Sequence, residues 1–154
     1  MGFIIDADSK EDAIIDVENL LEEDFVGEGR EYDFYNLFNK ENAVERWGKL
    51  PSAMLVTSDA GKKFIQEQMK TTKDAIKEAI NGLKENVNNV DLNDYHKISE
   101  LSYWSNKLGS TNCIYLFDVI NNDSIFTDKQ LDDVLNKELE PGKKRFVVPV
   151  DLHF

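Results

Sequence analysis

The segment "FVVPVDLHF" sets an aspartate and a histidine two positions apart, at Asp151 and His153. On a β-strand, side chains two apart project side by side from one face, so a carboxylate at 151 would orient the imidazole at 153. Such a pair suits general acid/base work or one half of a metal site. Every Asp-x-His on a strand shares this geometry, and the competing reading is a surface pair or one satisfied within the fold. His96, the other histidine, falls in a helical segment. The single cysteine, Cys113, excludes an internal disulfide and a thiolate cluster, and its setting in "NCIYLFDVI" reads as a buried, inert thiol. No metal and no cofactor is therefore expected.

Two further stretches have the residue types of a ligand loop but not the spacing. "VTSDAGKK" contains Gly61-Lys62 between a strand and a helix, yet a phosphate loop needs glycine five residues before Gly61 and a hydroxyl after Lys62, where Val56 and Lys63 stand. Ser58 or Asp59 is better read as the cap of the helix that follows. "DVINNDSIFTDKQ" has acids and amides in calcium-loop style, but Ile120 holds the third position and the required glycine is missing. A solvated loop leading into a capped helix is expected there.

Charge is the more informative feature. Residues 1–45 carry 14 acids and three bases, a net of −11 out of the −12 of the whole chain. A field of that sign disfavours direct contact with nucleic acid or anionic membrane and favours a basic partner, or plain solvation. The aromatics Tyr32, Phe34, Tyr35, Phe38, Trp47, Tyr103 and Trp104 would need flanking lysines and arginines to stack bases, and the region carries Glu31, Asp33, Glu41 and Glu45 instead, so core packing accounts for them better.

The elements that must position these residues follow from periodicity. "GFIID" reads as a strand. "DSKEDAIIDVENLLEED" reads as a helix, with Ser9 as N-cap, Asp12 three residues on, and Ala13, Ile14, Val17, Leu20 and Leu21 as its apolar stripe. Asp12, Asp16, Glu22, Glu23 and Asp24 fall outside that stripe. Carboxylates in rows on a rigid helix imitate the phosphate spacing of a nucleic acid and suit a basic groove on another protein. The alternative is a face that is merely solvated.

Gly27–Gly29 marks a turn, "EYDFYNLF" a strand, "KENAVERW" a short helix and "SAMLVTS" a third strand. The longest helical signal covers residues 62–87, where Ile65, Met69, Thr72, Ile76, Ala79, Leu83 and Asn86 recur in alternating steps of four and three. This helix either crosses one face of the sheet or is shared with a partner, including a second copy in a homodimer. Gly82 inside it marks a close contact or an early end. Asp94 caps "YHKISELSYWSNKL", "NCIYLFDVI" forms a central strand, and Thr127 caps "DKQLDDVLNKEL". In the last strand Phe146, Val148, Val150, Leu152 and Phe154 face the core, Val147, Pro149, Asp151 and His153 face away, and Pro149 suggests an edge or a bulge.

"YDFY", "RWGKL", "AMLVTSDAG" and "VDLHF" together resemble small uncharacterised proteins of phages and their bacterial hosts. Those carry a Tyr-Asp-aromatic-Tyr strand, a Gly-Gly-Arg-Trp segment and a final Val-Asp-x-His strand. Val44 and Glu45 stand here in place of the paired glycines. The resemblance implies an α+β fold and a mobile-element origin, and carries over no functional residue.

The expectation is one α+β domain over residues 1–154, a single sheet of about five strands with three to four helices packed on it, ferredoxin-like in one variant. No apolar run approaches the roughly 20 residues that cross a bilayer, and a signal-peptide pattern is missing, so a cytoplasmic protein without membrane contact is expected. The expected function is a non-enzymatic acidic interaction protein, an inhibitor that mimics nucleic acid on a partner's basic surface. The alternative is a small enzyme or metal protein using Asp151 and His153.

Overall fold

A computed structural model of the chain describes residues 1–30, 32–38, 50–109 and 114–153. Strand β1 (Gly2–Ala7) leads into helix α1 (Lys10–Leu20), whose end widens into a π-helical turn (Leu21–Phe25). Strands β2 (Phe34–Leu37) and β3 (Met54–Leu55) precede the long helix α2 (Asp59–Asn88) and helix α3 (Tyr95–Gly109). Strands β4 (Leu116–Asp118) and β5 (Asp123–Ser124), helix α4 (Asp128–Asn136) and strand β6 (Lys144–His153) complete the order. The fold is α+β, a mixed sheet with helices packed on it. The segment "KENAVERW", Trp47 and Cys113 lie outside the described residues.

The sheet runs β2-β6-β1-β4-β5, with β3 also on β6. β1 pairs in parallel with β4 and antiparallel with β6, with Phe3 opposite Val148 and Phe117. Each strand alternates between two apolar layers. Phe3, Ile5, Phe146, Val148 and Val150 meet Ala13, Val17 and Leu21 of α1 on one face. Ile4, Leu116 and Val147 meet Phe64, Ile65 and Met69 of α2 and Val134 of α4 on the other. A ferredoxin-like sheet keeps its helices on one face; here both faces are covered, so that variant is corrected.

The π turn carries Phe25 onto Phe3 and Phe117, with ring centroids 5.5 and 5.0 Å away and near-perpendicular planes. Such edge-on aromatic pairs add about 0.5–1.5 kcal/mol beyond the area they bury. They fix where the acidic helix ends.

β6 is interior rather than an edge. β1 lies along one side, and β2 and β3 share the other, β3 opposite Phe146 and Val147 and β2 opposite Val150 to His153. Pro149 falls between the two partners. Val150 donates to Met1 on the β1 side, and the Arg145 and His153 carbonyls accept on the other, so the donor that proline lacks would point into the gap where β3 gives way to β2. The face opposite α1 is also core: Val147 is fully buried.

Caps end the helices where their sequences say. Ser9 Oγ accepts from the Asp12 amide and donates to the Asp12 carboxylate. Thr127 and Gln130 form a reciprocal capping box on α4. Ser58 caps α2 by accepting from the Gly61 amide at 3.1 Å. A Cβ at Gly61 would fall 2.1 Å from the Leu55 carbonyl oxygen, so the glycine of "SDAGKK" serves close packing of helix on strand.

Candidate functional site

α1 and its π turn span sixteen residues and carry Glu11, Asp12, Asp16, Glu18, Glu22, Glu23 and Asp24 against one base, Lys10. At about 1.5 Å per residue this is one carboxylate per roughly 3.4 Å. That equals the charge spacing along one DNA strand and is about half the density of the duplex. Ala13, Val17 and Leu21 point into the sheet, so the carboxylates are forced outward.

The sequence expectation named five acids, and all five are exposed. Asp12, Asp16 and Glu23 share one side of the helix with Asn19, at steps of four, three and four. Glu22 turns away and accepts from the Tyr35 hydroxyl at 3.0 Å, with Glu18 at 3.4 Å. Burial first, then these carboxylates, hold the Tyr35 hydroxyl well above the ordinary phenol range. Asp24 lies 3.9 Å from Arg30 at the turn that follows. Asp16 and Glu23 thus stand open, and Asp12 continues their row while accepting from Ser9 at 2.6 Å.

Asp151 and His153 are side by side as expected, with Nε2 of His153 2.6 Å from Oδ2 of Asp151. Both are part-buried, on the sheet face opposite α1. Phe34, paired with His153 across β2 and β6, stacks on the imidazole with centroids 4.3 Å apart and planes within 5°. Asp151 also lines a pocket of about 150 Å³ with Phe38, Leu50, Phe64, Gln68 and Pro149. The Met1 amine in the same wall donates to the Val150 carbonyl at 2.8 Å. Burial lowers that amine to about 6, and Asp151 works in the opposite direction. The carboxylate thus orients the imidazole, and of the two side chains only Asp151 reaches the pocket wall. His96, on the exposed side of α3, is not brought to this pair.

One polar site escaped the sequence reading. Asp118, at the carboxyl end of β4, is 2% exposed and accepts from the Ile120 amide at 3.0 Å and from the Asn121 side chain. It lines a pocket of about 200 Å³ with Asp123, Ser124, Gln130 and Asp133. An aspartate inside the apolar run "YLFDVI" was the available signal. The expected solvated loop is instead a hairpin, β4–β5, turned at Asn122 with φ of 51°. Gln130 is occupied by its cap, and Lys137 donates to Asn121 at 3.0 Å, so the polar groups around Asp118 serve the turn. Among the described residues no three His, Cys, Asp or Glu side chains converge on a metal position, and no helix is long and apolar enough to cross a membrane.

Fold and site together define an α+β protein with a carboxylate-lined helix on one face of its sheet and an aspartate–histidine pair on the other. The chain belongs to the family described as Domain of unknown function (DUF7995), which matches residues 2–154. No curated protein and no solved structure matches it.

Proposed function

We propose that this protein is a non-enzymatic interaction protein whose acidic α1 face occupies a basic, nucleic-acid-binding surface on another protein and blocks it. The observation that carries this reading is the density of carboxylates on α1 and its π turn, seven against one base over sixteen residues, on a support fixed by the sheet. Work in the cytoplasm and an origin in a phage or other mobile element belong to the same proposal.

The test is retention of lysate proteins on the immobilised chain and on a variant with Asp12→Asn, Asp16→Asn, Glu22→Gln, Glu23→Gln and Asp24→Asn. A protein held by the first alone, released by moderate salt and displaced by added DNA, supports the proposal. Identical retention by both forms overturns it.

A second reading rests on the 2.6 Å contact of His153 with Asp151, a pairing that suits acid/base work, with Asp151 itself in the wall of the 150 Å³ pocket. If the protein is a small enzyme of that kind, His153→Ala abolishes turnover while the α1 variant retains it.

A further inference from the structure

α2 is 30 residues long, about 45 Å, and only its first half rests on the sheet. Phe64, Ile65 and Met69 enter the core and Thr72 accepts from the Tyr115 amide, but no later residue of α2 belongs to either core layer. Among the described residues, the second half packs on α3. There Gly82 lies against the Trp104 ring, and Glu78 meets Lys107 at 3.1 Å.

The apolar stripe of α2 does not stop where the sheet does. Ile76, Ile80, Leu83 and Val87, at steps of four, three and four, continue it along the overhang, about a quarter turn from the seam at Ala79 and Gly82. In an antiparallel pair of helices this row lies on the same side as Ile98 and Leu101 of α3. The Glu78–Lys107 ion pair lies on the opposite side. Val87 is 57% and Ile98 41% exposed, and no described side chain of α3 is buried although the helix carries Tyr95, Ile98, Leu101, Tyr103, Trp104 and Leu108. A helix draws most of its stability from a covered apolar face, and on this one Ile76, Ile80, Leu83 and Leu101 are only half-buried while Val87 and Ile98 are exposed.

We infer that a second copy of this chain covers it, the two α2–α3 hairpins closing face to face into a four-helix bundle. Charge selects this occupant. The overhang of α2 together with α3, residues 74–108, carries six acids and four bases, a net of −2, whereas residues 1–30 carry ten acids and two bases, a net of −8. Two chains of net charge −12 can therefore approach more closely at this hairpin than at α1. Lys77 and Lys84 border the apolar row on α2, and Asp91 and Asp94 stand in the turn that joins the two helices, so the hairpin offers both signs. Two helices side by side over this length present about 20 by 20 Å in projection, a patch at the low end of interface sizes. The dimer leaves both acidic α1 faces free, which makes the assembly bivalent toward a partner.

The test is mass in solution, by light scattering and sedimentation from 1 to 200 µM (an order-of-magnitude range around typical association constants), and it does not depend on any partner of α1. The wild-type chain is expected at twice its 17.7 kDa. The double variant Val87→Glu, Ile98→Glu, which changes two exposed positions, is expected at the monomer mass with an unchanged far-ultraviolet spectrum. The α1 neutralised variant remains dimeric. A wild-type monomer throughout the range overturns the inference and leaves the face to a different protein. A dimer that survives both substitutions overturns it as well, because the copies then meet elsewhere.

Discussion

Arg145 grips Asp6 through two parallel contacts of 2.6 Å, Nε to Oδ1 and Nη2 to Oδ2, where β6 crosses the carboxyl end of β1. Its remaining nitrogen, Nη1, donates to the Val134 and Lys137 carbonyls and so closes the end of α4. The arginine side chain is 3% exposed and the aspartate 14%. One guanidinium thus ties two strands and a helix terminus together.

Removing one side of this pair leaves the other charge buried without its partner. Asp6→Asn is expected to cost about 3–5 kcal/mol, read as the shift of the urea midpoint at constant slope. Replacing both, Asp6→Leu with Arg145→Met, is expected to cost less than Asp6→Asn alone. A double variant as unstable as the sum of the two singles shows that the pair does not act as a unit.

Gly82 of α2 lies against Trp104 of α3 so closely that a Cβ would fall 2.2 Å from the ring. Alanine gains about 1 kcal/mol of helix propensity over glycine, whereas overpacking of this kind costs about 1–3 kcal/mol. Gly82→Ala is therefore expected to lower the melting temperature. In a Trp104→Ala background the same substitution should raise it, because the obstructing ring is gone. Stabilisation in the wild-type background shows that the helices separate without cost.

Sequence periodicity identified most of these elements because their periods are local. Ser9, Ser58 and Thr127 each announce a helix start, and the stripes of α1 and α2 name the residues that become core. The surroundings of β6 were not legible. Its alternation of Phe146, Val148 and Val150 with Val147 and Pro149 fits a strand with one wet face equally well, and only the arrival of α2 from far along the chain makes Val147 core. Asp118 was hidden for the same reason. The Asp151–His153 contact was legible because two residues on one strand settle it, whereas the stacking of Phe34 needed the register of β2 on β6.

In a chain prepared with a free Met1 amine, stability should depend on pH between about 6 and 8. Burial lowers this amine from 8.0 unfolded to about 6 folded. The unfolded chain then binds more protons across that window, so stability rises with pH through it and the penalty of burying the charged form is full below 6. The difference between the ends is about 2–3 kcal/mol by linkage. Urea titrations at pH 5.5 and 8.5 measure it. Acetylation of the amine is expected to remove this component, and an unchanged slope after acetylation assigns the dependence to another group.

The α1 acids separate stability from binding. Asp16 and Glu23 are exposed on a helix whose buried face is apolar, so neutralising them should change folding stability by no more than about 0.5 kcal/mol, with relief of repulsion as a slight gain. Asp12, in the first turn and accepting from Ser9, works the other way by about as much, so the two effects largely cancel in the triple variant. Binding to a basic partner behaves differently, since every carboxylate in the row meets a cation on the other surface. The triple variant Asp12→Asn, Asp16→Asn, Glu23→Gln is expected to keep its melting temperature, lose partner affinity and show a flatter dependence of affinity on salt. Because Glu22 is held by Tyr35, Glu22→Gln alone should weaken binding less than Asp16→Asn alone. Isothermal titration at two salt concentrations reads all of these, and equal affinity for the triple variant and the wild type removes α1 from the interface.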